Sequence, residues 1–153
     1  MNQMNDLLVA DCPNGRFITA VIAAVEPRDR TVLIYSAGHG PSIFYDASER
    51  RTHRLAANDV PLGLTAPLAN NDLEEFHCDP GDLLLLLTDG FFEWSNRADQ
   101  HYGMTRLEQF VGEHHALKPE QFIKALHDDV LAFSEGTPQE DDLTAVVLKC
   151  VGA

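Results

Sequence analysis

Three carboxylates stand where their type and spacing could do chemistry. Asp89 follows a run of five leucines, residues 83–87, by way of Thr88, and Gly90 comes next. Asp141 and Asp142 immediately precede a second apolar stretch, residues 143–151. A carboxylate at the end of a buried strand is held rigidly, which is what a metal or catalytic site needs. Asp-Gly is also a common turn pair, so Asp89 has two readings, ligand and turn residue. Asp141 and Asp142 likewise read either as ligands or as solvated acids. If the two strands are neighbours in one sheet, the carboxylates meet at one rim. Oxygen-only ligands suit hard cations such as Mg²⁺ or Mn²⁺. Two such ions held close can position and deprotonate a water for attack on phosphorus while neutralising charge on the phosphoryl oxygens.

The elements that must position these residues follow from hydrophobic period and turn signals. Pro80-Gly81 and Gly90 bound the leucine run, which reads as a strand buried on both faces. It is too short to span a membrane. Residues 2–10 read as the end of a helix, with Met4, Leu7 and Leu8 at helical spacing, broken by Cys12-Pro13-Asn14-Gly15. Residues 17–25 and 31–37 read as strands of an antiparallel hairpin, followed by strands at 42–46 and 52–56. Residues 57–72, with Pro61, Gly63, Pro67 and Asn70-Asn71, read as irregular, and residues 73–78 as a strand.

A polar loop at 95–101 then leads into a helix carrying Met104, Leu107, Phe110 and Val111 on one face. Pro119 opens a second helix whose stripe is Phe122, Leu126, Val130 and Phe133. The pair His114-His115 reads as surface. The last stretch, 143–151, reads as a buried strand. Strands in runs joined by tight turns, with two helices together, give an α+β class with antiparallel sheets rather than alternating βαβ units.

The 153 residues suit one domain, 1–153, with one core. The net charge of -13, without a basic cluster, argues against nucleic acid or an anionic membrane as partner. Cys12, Cys78 and Cys150 are odd in number and far apart, which fits neither a disulfide framework nor a zinc-cysteine site. They suit a reducing cytoplasm. The first ten residues lack the basic start and apolar run of a signal peptide.

Five segments carry a family resemblance. Thr88-Asp89-Gly90-Phe91-Phe92-Glu93-Trp94-Ser95-Asn96 resembles the "TDG-x-x-E-x-x-N" segment of bacterial metal-dependent protein phosphatases (the PPM superfamily) of the stage II sporulation protein E type. Asp141-Asp142-Leu143-Thr144-Ala145-Val146-Val147 resembles that family's closing "DD-x-T-x-VV" segment. Ser36-Ala37-Gly38-His39-Gly40-Pro41 is similar to its "NAGH-x-P" turn, Pro61-Leu62-Gly63-Leu64 to its "PLG" loop, and Tyr102-Gly103-Met104-Thr105-Arg106-Leu107 to its "FG-x-x-RL" helix start. All five fall in the family's order.

The resemblance implies two stacked, mainly antiparallel β-sheets flanked by helices. It implies Mn²⁺ or Mg²⁺ at the sheet rim and hydrolysis of phosphoserine or phosphothreonine, often on an anti-sigma-factor antagonist domain. Asp89 and Asp141 match the family's metal-binding, catalytic aspartates, with Asp142 the neighbouring candidate ligand. Gly90 would allow a close backbone approach. Glu93 and Asn96 match the pattern without an assigned role, and His39 reads as structural.

One part of the pattern is absent. Nothing in the chain matches the family's earlier "GD-x-SG-x-G" segment, whose Asp bridges both metals. The chain is therefore expected to be a partial domain, holding one ion or none where the complete domain holds two, with little turnover. Uncovered sheet edges would favour a homodimer, against which a clean monomer in light scattering at high concentration would count. The rival reading is a pseudo-phosphatase, a protein-binding module without hydrolysis. A third is an acidic cation-binding module with no catalysis.

Overall fold

The computed structural model describes residues 1–11, 15–69 and 72–152. Their elements, in chain order, are α1 (Asn2–Asp11), β1 (Ala20–Glu26), β2 (Thr31–Ala37), β3 (Ser42–Asp46), β4 (Arg51–Leu55), β5 (Glu74–His77), β6 (Leu83–Leu87), α2 (Gly90–Glu93), α3 (Met104–His114), α4 (Pro119–Ser134) and β7 (Ala145–Lys149). They form two antiparallel sheets, ordered β1-β2-β5 and β4-β3-β6-β7, with helices, as the α+β reading requires. Two compact units emerge, residues 1–41 with 55–78, and residues 42–54 with 79–153.

In the first unit the β1–β2 hairpin pairs in register from Ala20↔Ala37 to Glu26↔Thr31. β1 is an edge strand, and its Ile22 and Val25 stay exposed. Helix α1 forms where expected, and of Met4, Leu7 and Leu8 only Leu8 packs, partly buried, against the core of this unit. Met4 and Leu7 point to solvent, while Asn5 is fully buried. The Asn5 amide explains this, since its Nδ2 donates to the Thr65 carbonyl at 2.8 Å and its Oδ1 accepts from the Gly63 N–H at 2.9 Å. A buried amide with both ends satisfied ties the helix down as an apolar residue otherwise would. The expected breaker Cys12-Pro13-Asn14 and the pair Asn70-Asn71 lie outside the described residues.

The turn after β2 is closed by glycine for a physical reason. Gly38 has φ +65°, and a Cβ there would stand 2.4 Å from Pro61 Cγ. Gly38→Ala would therefore add about 1–2 kcal/mol of left-handed strain to about 1–3 kcal/mol of overpacking against a rigid ring. The expected result is a lower urea midpoint with an unchanged m-value. An unchanged midpoint would show that the turn can open freely. His39 sits in this turn, where its carbonyl accepts from the Ser36 hydroxyl.

In the second unit β6 is central, paired with β3 on one side and β7 on the other. Leu83, Leu84 and Leu85 have no exposed surface and Leu87 almost none; only Leu86 is half-buried. Leu83, Leu85 and Leu87 belong to one core with Phe110, Val111, Phe122, Leu126 and Val130 of α3 and α4. The helical stripe read from sequence is that packed face, with Phe133 partly buried beside it. Tyr102 braces the same helices, its phenol donating to Asp129 at 2.6 Å. Burial pushes the Tyr102 phenol far above its usual range, and Asp129 adds to that.

Asp82, just before β6, is buried and spends both carboxylate oxygens on backbone donors, Ala47 N–H at 2.8 Å and Asp79 N–H at 2.7 Å. Two sequence expectations fail in this unit. The last strand is not buried, because β7 lies at the sheet edge and Val146 is 55% exposed. The histidine pair is not free surface. His114 stacks on Phe110 at 4.1 Å and His115 on Tyr45 at 4.4 Å, leaving both half-buried. Cys78 is buried and Cys150 half-buried.

Arg54 of β4 grips Glu108 of α3 with two hydrogen bonds, 2.6 and 2.8 Å long. Those bonds hold the Glu108 carboxyl below its ordinary range, against a smaller opposing effect of burial. A carboxyl depressed in the folded state stabilises above its unfolded pKa, and the contribution is lost as pH falls through the folded value. Glu108→Gln should therefore cost about 0.2–1 kcal/mol at neutral pH and converge with the parent at low pH. A pH series of urea midpoints reads this, and a constant gap down to acid would contradict it.

Candidate functional site

The site begins at the register of β6 against β7. Leu87 faces Ala145, so Thr88-Asp89-Gly90 and Asp141-Asp142 emerge at the same end of the sheet. Thr88 fastens the two segments. Its N–H donates to the Thr144 carbonyl at 2.9 Å. Its hydroxyl donates to the Asp142 carbonyl at 2.7 Å and accepts from the Thr144 N–H at 3.0 Å. Gly90 completes the join. It is buried, and a Cβ there would lie 2.7 Å from the Asp142 carbonyl oxygen and 3.4 Å from that of Asp141. Only a residue without a side chain lets the two backbones approach this closely.

Asp89 occupies the cap position of the one-turn helix α2 but makes no side-chain capping bond, and it is exposed. Its main-chain carbonyl accepts from Phe92 and Glu93 instead, both at 2.9 Å. The carboxylate is thus not consumed by local structure. Asp141 is exposed and accepts its neighbour's N–H at 2.7 Å, while Gln139 donates to its carbonyl at 2.7 Å. Asp142 is exposed, and its carbonyl is the one Thr88 holds.

The structure brings Gly90 and Asp141 together as walls of a cleft of about 290 Å³, with Glu93, Trp94, His101, Gln139 and Glu140. Asp89 and Asp142 flank that rim rather than line the cleft. The side-chain oxygens of Asp89, Asp141 and Asp142 are not all within 4.8 Å of one another. Among the described residues that degree of clustering belongs to Asp46, Glu49 and His53. There, however, one Asp46 oxygen is taken up by the turn it closes, accepting from Ser48 N–H, Ser48 hydroxyl and Glu49 N–H. The donor chemistry at the β6–β7 rim is all oxygen, which fits a hard divalent cation and not a soft one.

Several cleft residues were not singled out as functional by the sequence reading. Glu93 does carry a signal, four residues after Asp89 and so on the same helical face. Trp94 donates to Thr137 Oγ1 at 3.0 Å, and Thr137 in turn donates to the Ser95 carbonyl at 2.6 Å, which fixes one wall. Asn96 is structural, its Oδ1 accepting from Ala98 and Gln100 N–H groups at 3.0 and 3.1 Å. His101 comes from a polar loop with no periodicity, so no sequence signal pointed to it. Among the described residues no helix is long and apolar enough to cross a membrane.

Known proteins resemble this arrangement. The phosphoserine phosphatase RsbU of Bacillus subtilis is 22% identical over 149 residues, covering 97% of this chain but 44% of its own length. The chain therefore spans less than half of that relative. The SiaA-PP2C domain of Pseudomonas aeruginosa superposes with a TM-score of 0.74 at 19% identity, over 86% of this chain and 51% of that one. A manganese-presoaked phosphatase domain of the Bacillus subtilis cell fate determinant SpoIIE gives 0.67 at 18% identity, over 88% and 57%. These likenesses establish the PPM phosphatase fold. The model of the stage II sporulation protein E (SpoIIE) family matches residues 1–151, and the chain belongs to that family.

Proposed function

We propose that this chain carries part of a metal-dependent protein serine/threonine phosphatase. Its substrate is a phosphoserine or phosphothreonine on a cytoplasmic bacterial signalling protein of the anti-sigma-factor antagonist type. The observation that supports this most is the Thr88 clamp. It sets Asp89 and the Asp141-Asp142 pair on one rim while leaving the Asp89 carboxylate free of structural duty. Family membership and the RsbU likeness point the same way.

On this reading Asp89 and Asp141 hold Mn²⁺ or Mg²⁺, with Asp142 beside them as an alternate ligand. The bound cation would supply an activated water and neutralise phosphoryl charge. The protein's own contribution is placement. Thr88 ties the carboxylate-bearing segments together, and Gly90 lets their backbones close up. The β6 core beneath keeps both strand ends rigid.

The test is release of inorganic phosphate from a phosphoserine peptide, and hydrolysis of p-nitrophenyl phosphate, with and without Mn²⁺. Weak, metal-dependent turnover is expected. One observation favours the rival reading of a protein-binding module, namely that the three carboxylates do not converge on one point. That reading predicts no turnover, together with retained capture of the phosphorylated partner domain after Asp89→Asn.

A further inference from the structure

Within the cleft beside Gly90 and Asp141, one side chain differs in kind from the rest. Glu93, Glu140 and Asp141 present carboxylates, and Trp94 and Gln139 are neutral. Among the described residues that line the cleft, His101 alone is able to carry positive charge. Its orientation is fixed by Nδ1, which lies within hydrogen-bonding distance of the Glu93 carbonyl and 3.2 Å from the Ser95 hydroxyl. A carbonyl oxygen only accepts, so Nδ1 carries the proton. Nε2, the other ring nitrogen, has no hydrogen-bond partner among the described residues. An imidazole anchored through Nδ1–H with Nε2 unengaged is arranged for proton transfer at Nε2.

We propose that His101, in its imidazolium form, donates the Nε2 proton to the serine or threonine oxygen that leaves phosphorus. This rests on the phosphatase reading above. The need is chemical, because an alkoxide is a poor leaving group and departs far more readily once protonated. Water oxygen forms the new bond to phosphorus. The bond from phosphorus to the side-chain oxygen breaks, its electron pair staying on that oxygen. The proton from Nε2 neutralises it as the free hydroxyl. The proton lost by the attacking water returns to His101 through solvent, so the imidazolium is restored.

The experiment exploits the leaving group. p-Nitrophenolate departs without a proton, whereas a serine alkoxide does not. His101→Asn keeps an N–H for the Glu93 carbonyl but has no titrating nitrogen, and His101→Gln serves as a second variant. Both should lower kcat on a phosphoserine peptide by about 100-fold or more while changing p-nitrophenyl phosphate hydrolysis by less than about threefold. With Mg²⁺ as the cation, phosphoserine should also move the imidazole Cε1–H NMR resonance of His101 in the parent chain. Equal losses on both substrates, no loss on either, or an unmoved resonance would overturn the assignment while leaving the phosphatase reading standing. A parent chain that hydrolyses neither substrate would remove both.

Discussion

Asp89→Asn is expected to abolish Mn²⁺-dependent phosphate ester hydrolysis while leaving the fold intact. The two halves of that result have separate causes. The carboxylate is exposed and makes no capping bond, so an amide of the same shape disturbs nothing around it. Surface changes of that kind stay within about 0.5 kcal/mol. The lost charge acts only on a bound cation. Mutating residues that merely orient a metal's ligands costs roughly 10–100-fold in affinity or activity, and removing a ligand should exceed that. Calorimetric titration with Mn²⁺, thermal melts and phosphate release would be measured on the same preparation. Retained activity would demote Asp89 to a turn residue. Retained stability with lost cation binding and lost turnover is the expected pattern.

Leu85→Ala should strongly destabilise the second unit. Leu85 has no exposed surface, is cross-paired with Ile43 and Val147, and packs into the core beneath α3 and α4. Truncations of this type remove transfer free energy and leave a cavity, for about 2–5 kcal/mol together. Against a total stability of about 5–15 kcal/mol, that is a large fraction. Leu86, half-buried on the opposite face, supplies the control, and Leu86→Ala should cost about half as much or less. Equal losses in urea denaturation would mean that the difference in burial between these two positions does not set the cost of truncation.

Much of the scaffold was legible because its signals are local. β2 and β3 begin and end where turn residues bracket β-branched and apolar runs, and α4 starts at Pro119 with Phe122, Leu126 and Val130 on one stripe. The pairing of β6 with β3 was not legible, since residues 47–82 intervene and nothing in either strand names its partner. Nor could β7's position be read, because an apolar run looks alike at the centre and at the edge of a sheet. Helix α2 escaped notice because one turn after Asp-Gly has no period to detect.

At the candidate site, the sequence pattern pointed to Asp89, Gly90, Asp141 and Asp142. The Thr88 clamp is visible only as atoms in contact, and so is the place of His101 in the cleft wall. In α1 the helical spacing of Met4, Leu7 and Leu8 was legible, but the anchoring of the helix by a buried polar residue, Asn5, was not.

The leucine strand has a consequence for information content. Five identical side chains cannot tell their neighbours which leucine is which. A slide of β6 by two residues would return leucines to the same faces against β3 and β7, so the core alone scarcely distinguishes the frames. The alignment must be written at the ends. Asp82 marks one terminus through Ala47 and Asp79, and Thr88 marks the other through Asp142 and Thr144. These two polar residues act as the strand's address, and a two-residue error would carry Asp89 roughly 6–7 Å along the sheet. Asp82→Ala combined with Thr88→Val should therefore yield a chain that still collapses around its leucines yet shows several coexisting alignments, visible as multiplied leucine methyl signals in NMR.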